Sequence, residues 1–115
     1  MTLSEFEVKK CEKIVKSFIE KHRPPVHMRN KVDLSFRVKN QSVEIFDIRP
    51  KWDDPKEQVE TPIAKTTYVK VDKVWKLYWQ RADHKWHSYQ PYPKANNLEE
   101  VLEVISEDEN ACFWG

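Results

Sequence analysis

The sequence predicts an α+β fold: a mainly antiparallel sheet of four to five strands with an N-terminal and a C-terminal helix packed on it. Three observations lead there. Apolar residues recur at helical spacing near both ends of the chain. Between those ends they alternate with a period of two. The strand-like runs follow one another through short connections, which favours hairpins and therefore antiparallel pairing. Amphipathic helices can then cover one sheet face as a two-layer sandwich.

The first helix announces itself at Leu3-Ser4-Glu5-Phe6-Glu7-Val8. Ser4 is a capping residue, Glu7 is its reciprocal partner three residues on, and Leu3 with Val8 can form a hydrophobic staple. Val8, Cys11, Ile14, Val15, Phe18 and Ile19 then form one stripe, and "RPP" at 23–25 ends the helix, because proline lacks an N–H and restricts the residue before it. "VDLSFRVK" at 32–39 alternates as a half-buried strand. A two-residue turn at Asn40-Gln41 would set Val38 opposite Val43, Arg37 opposite Glu44, Phe36 opposite Ile45 and Leu34 opposite Asp47. The stretch "PKWDDPKEQVETP" reads as a polar loop with three prolines, a candidate hinge or lid. Residues 63–71 are open to strand or helix; Thr, Tyr and Val favour strand. "VWKLYWQR" and "KWHSY" form a hairpin about Ala82-Asp83-His84, with Trp75, Leu77 and Trp79 on one face. Asn96 or Asn97 starts a last helix whose stripe is Leu98, Val101, Leu102 and Ile105. The tail "NACFWG" is apolar enough to pack back onto the body.

The chain has 115 residues, the usual size of one domain, so 1–115 is expected to fold as a single domain. Its aromatic content of 12% argues against disorder. No apolar run has the length of a membrane span, and the N-terminus lacks the pattern of a signal peptide. A soluble cytoplasmic protein without membrane contact is expected. Cys11 and Cys112 have no metal-binding or redox spacing and are expected to be thiols. The one glycine is Gly115. Phosphate-binding loops, dinucleotide fingerprints and serine-hydrolase elbows all need glycine within the chain, so those enzyme classes are excluded. No cofactor and no metal site is implied.

Net charge is +1, which gives no general case for nucleic acid. The charges are segregated, however. Residues 97–109 hold six acids and no base, while residues 61–94 hold seven bases and two acids. A local positive face is therefore available.

The aromatic hairpin is the main candidate site. Aromatics favour strands and pair across them, so Trp75, Leu77 and Trp79 are expected in the core. Tyr78, Trp86 and Tyr89 are then candidates for stacking on a ligand. Arg37, Lys65, Lys76, Arg81, Lys85 and His87 are candidates for holding phosphates or acidic groups. Asp47 and Arg49, by the same alternation that buries Val43 and Ile45, should face the helices. They make either a register-fixing ion pair or, with Lys65, a cleft that could support catalysis. Asp33 followed by Asp47-Ile48-Arg49 faintly resembles the acidic metal site of restriction-type nucleases, but Asp33 and Asp47 fall on opposite faces. The histidines, including the HxxH spacing of His84 and His87, read as solvated.

The strings "RPPVHMRNKVDLSFRV", "QSVEIFDIRPKWDDP", "AKTTYVKVDKVWKLYWQRADHKWHSYQPYP" and "EDENACFWG" resemble a bacterial family catalogued as domain of unknown function family 3024. The resemblance runs from the first helix to the terminal FWG. It implies a short bacterial protein with no assigned activity and no catalytic residues to carry over. Function therefore rests on the residues themselves. The expectation is a non-enzymatic binding module, leaning toward nucleic acid through the basic and aromatic hairpin. The alternatives are a metal-dependent hydrolase built on Asp47 with Asp33 or Glu44, and a homo-oligomeric or protein-interaction module.

Overall fold

A computed structural model describes residues 3–109 and 112–114. The N-terminal helix α1 (Glu5–His22) starts as the sequence predicts: the Glu7 N–H donates to Ser4, and the Glu7 carboxylate accepts from the Ser4 N–H. It buries Cys11, Val15, Phe18 and Ile19, and ends at Arg23 in front of the two prolines. A short 3-10 turn (Val26–Met28) leads into the sheet.

The sheet has six antiparallel strands: β1 (Asp33–Lys39), β2 (Ser42–Lys51), β3 (Asp54–Val69), β4 (Val74–Gln80), β5 (Trp86–Ser88) and β6 (Lys94–Ala95). The first five lie in sequence order, and β6 pairs with β4 beside β5. The β1/β2 register is the predicted one, with Val38 opposite Val43, Phe36 opposite Ile45 and Leu34 opposite Asp47. The turn holds because Asn40 takes φ 56°, a left-handed conformation that asparagine tolerates in place of glycine. Residues 63–69 are strand, as their β-branched content favours.

The segment 50–62 is not the expected loop, hinge or lid. Its residues continue β2 and β3 into a long hairpin arm that turns at Trp52-Asp53. The three prolines misled because their cost depends on neighbours. Pro50 lies beyond Ile48, where β1 stops pairing, so no third strand asks for its N–H. Pro62 sits beside the irregularity that sets Ile45 opposite Ala64 but Phe46 opposite Pro62. Pro55 lies in the irregular tip, and all three positions are ones where a strand tolerates proline.

The C-terminal helix α2 (Leu98–Glu107) is capped by Asn97, whose side chain accepts from the Glu100 N–H, and it buries the whole predicted stripe. Both helices contribute to one core with the same sheet face: Leu34, Val43, Ile45, Ala64, Trp75 and Leu77. Asp108 then takes the left-handed conformation at φ 42°. Its carboxylate accepts from the backbone N–H groups of Cys112 (2.8 Å), Phe113 (3.1 Å) and Trp114 (2.8 Å). Phe113 is buried, and the Trp114 indole donates to the Ile105 carbonyl and stacks on His22. These residues pack back as expected; Asn110, Ala111 and Gly115 lie outside the described residues. Cys11 is an unbridged buried thiol, and burial pushes its pKa up, away from a reactive thiolate.

The Asp108 carboxylate thus accepts from three backbone N–H groups at once. Asp108→Gly removes the carboxylate while keeping a residue suited to positive φ. It is expected to cost about 1–3 kcal/mol, from N–H groups left without their acceptor. Urea unfolding of the two proteins measures this; equal midpoints and slopes would show that the tail is held by its side chains alone.

Candidate functional site

The face opposite the helices is built by strand alternation. Since Leu77 and Val43 point to the core, Arg37, Glu44, Phe46, Lys65, Lys76 and Tyr78 point away from it. On β5, Trp86 pairs with Gln80 and joins this open face. Phe46 is nevertheless only 8% exposed. The Arg37 guanidinium lies 4.4 Å above its ring, and Glu44, Glu60, Pro62 and Trp86 border the same hollow, about 150 Å³ in volume. Arg37 also bonds to the Glu60 carboxylate and stands 4.0 Å from that of Glu44. The Lys65 ammonium lies 6.0 Å over the Trp86 ring. Trp86 and Tyr78 remain half-buried, each with part of its surface open. The cation–π contact holds Lys65 and Trp86 together on the open face.

The predicted site residues do not all share this face. Arg37, Lys65, Lys76, Tyr78 and Trp86 do. His87 pairs with Trp79 on the helix side, and the Arg81 guanidinium sits 5.4 Å over the Trp79 ring, at the sheet margin. Lys85 is exposed in the hairpin turn. There Asp83 accepts from the Lys85 N–H at 2.9 Å and contacts the His87 ring at 2.8 Å. These contacts hold its carboxyl below the usual range.

Tyr89 requires a correction. It is 2% exposed, belongs to the core and packs on Phe113 with ring centroids 4.9 Å apart. The reason is parity. Trp86 and Tyr89 are three residues apart, so a strand that points Trp86 outward turns Tyr89 inward. Its N–H bonds the Leu77 carbonyl, continuing the β4/β5 ladder on the core side. Phe46, Glu44, Glu60 and Pro62 are the residues sequence reasoning left out of the site. Phe46 carried a signal, because Ile45 and Phe46 are adjacent and must face opposite ways.

The weak catalytic set also comes apart. Asp47 and Arg49 lie 3.4 Å apart, away from the open face on which Lys65 stands. They border a cleft of about 210 Å³ with Asp33, His22, Pro24 and Trp114. Asp33 is committed to Arg23 through paired bonds of 2.8 Å each, and Glu44 is on the other side of the sheet. Among the described residues, no three His, Cys, Asp or Glu side chains converge as metal ligands do. The Asp47 Oδ1 atom is buried without a hydrogen-bond partner.

The chain belongs to the family described as Domain of unknown function (DUF3024), whose model matches residues 3–115. The family assignment covers α1, the whole sheet and α2, so the arm and the open face both lie within the matched region. No curated protein and no solved structure matches the chain. No helix among the described residues is long and apolar enough to cross a membrane.

The Arg23 hydrogen bonds hold the Asp33 carboxyl below its ordinary pKa. A carboxyl depressed in the folded state stabilises the fold above its unfolded pKa, and that stability is lost as pH falls through the folded value. The stability gap between the native protein and Asp33→Asn should therefore narrow as pH falls from about 5 toward 2. Urea midpoints across that range measure it, and a constant gap would mean the Arg23 contact is not made in solution.

Proposed function

We propose that this protein is a non-enzymatic binding module whose open sheet face takes single-stranded nucleic acid. Bases stack on Trp86 and Tyr78, and Lys65, Lys76 and Arg37 meet the backbone phosphates. The reading rests on one observation above all: the Lys65 ammonium and the Trp86 ring stand together on a sheet face that neither helix covers. A base can lie on an aromatic face while its phosphate reaches the adjacent cation. That combination is tolerant of sequence and strongly dependent on salt.

Charge segregation supports the same direction of approach. The acids Glu99, Glu100 and Glu103 are carried by α2, in the layer behind the sheet. A polyanion is repelled from that layer more than from the open face, where Arg37 neutralises Glu44 and Glu60 in part. Arg37 enters as a guarded cation, held by Glu60 and Glu44, so its contribution requires exchanging carboxylates for phosphate. Lys65 and Lys76 carry the first contact. A cytoplasmic setting goes with this reading and with the unbridged thiol of Cys11.

Fluorescence anisotropy with a labelled twelve-nucleotide oligo(dT) or oligo(U) tests the proposal. Binding should weaken linearly in log Kd against log salt. Trp86→Ala should weaken it by about 1–3 kcal/mol, the range for one stacked base, and Lys65→Ala should flatten the salt slope. Binding equal to the native protein in the Trp86→Ala/Lys65→Ala double variant, or no binding at low salt, would sink the reading.

A further inference from the structure

The arm formed by the ends of β2 and β3 has no role in the open face beyond Glu60 and Pro62. β1 stops opposite Ile48 and β4 stops opposite Ala64, so the arm continues as a bare two-stranded ribbon. Trp52 at its tip is 92% exposed, and residues 52–62 are exposed throughout. A two-stranded ribbon alone is marginally stable in water, and a bare strand edge is a template for another strand. Between Pro55 and Pro62 the outer edge of β3 runs for six residues, Lys56 to Thr61, with no proline to interrupt pairing. From Arg49 to Thr61 the arm carries three bases and four acids. Its charge is therefore wrong for a polyanion and mixed in the way that suits a protein edge.

The order of those charges selects the occupant. We propose that the arm pairs edge to edge with the arm of a second copy of this chain, antiparallel, about a two-fold axis through Gln58. In that register Lys56 of each copy stands opposite Glu60 of the other, and Glu57 stands opposite Val59. The edge is then self-complementary, as a two-fold contact requires, and no like charges face each other. Lys56 has no ion pair within the chain among the described residues, whereas Lys51 already meets Asp53 and Glu57. The prolines bound the contact. Pro62 at the base and Pro55 near the tip fall outside the five paired residues, Lys56 to Glu60, and block a slipped, longer pairing. The contact is small, so the dimer is a reversible one.

Sedimentation equilibrium and cross-linking of the full chain test the contact separately from any nucleic-acid binding. The native protein should show a monomer–dimer equilibrium, and Lys56→Glu should weaken it about tenfold, since one exposed substitution puts like charges opposite each other twice. Gln58→Cys should form a disulfide dimer under mild oxidation, because the axis passes through that position. Val71→Cys, exposed in the β3–β4 turn, serves as the control and should not. A native protein that stays monomeric at about millimolar concentration overturns the proposal. So does a dimer that Lys56→Glu leaves unchanged, or cross-linking through Val71→Cys that equals that through Gln58→Cys.

Discussion

The helices α1 and α2 both pack on the same side of the sheet, and neither covers the other side. This one-sided burial governs what each strand residue can be. A side chain pointing toward Val15, Phe18, Val101 and Ile105 must be apolar or, like Thr66, hydrogen-bonded within the layer, and the alternation of strands assigns those positions without choice. Leu77 and Val43 are fully buried at the centre of that layer. Their neighbours in sequence, Lys76, Tyr78 and Glu44, are thereby delivered to the outside. A register slip of one residue would exchange the two sets, so the register of the sheet holds core and candidate site in place together.

The outer face does not behave as a plain solvated surface. Phe46 points to it and is still hidden, because Arg37 lies across the ring and Trp86 and Pro62 stand beside it. An apolar side chain on the open side of a one-sided sandwich lacks a helix to cover it. Here charged and aromatic neighbours supply the cover with their stems and faces. The outcome is a surface of aromatic rings separated by cations, which is the composition a stacking ligand needs. The same arrangement meets the local demand to shield Phe46.

Much of this was legible in the sequence where the signal is local. The Ser4–Glu7 capping box, the stripe of α2 and the β1/β2 register each depend on residues at most fifteen positions apart, and each is found as read. What was not legible depends on neighbours distant in sequence. Proline at 50, 55 and 62 signals a loop unless one knows that β1 and β4 have already ended. Strand β6, of only two residues, has no periodicity to display and exists because Trp75 and Lys76 offer a partner edge. Tyr89 was within reach: counting three residues from Trp86 reverses its face, and only the end of β5 obscured it. Arg81 and His87 enter the candidate site through composition alone, whereas pairing with Trp79 turns His87 to the helix side.

Glu60 joins the two surfaces that the strands create. It stands on the arm, and its carboxylate bonds to Arg37, which covers Phe46 on the open face. A cation brought opposite Glu60 competes with Arg37 for that carboxylate, and a released Arg37 is a stronger site for an anion. The converse holds by the same equilibrium: an anion that captures Arg37 leaves Glu60 available to an incoming lysine. If both proposed contacts form, binding events that share one carboxylate in this way would favour each other by equal free energies. The coupling needs no movement of the backbone. It follows from three side chains, Arg37, Glu44 and Glu60, in which two acids satisfy one base, so any new partner for either acid changes what the base can do.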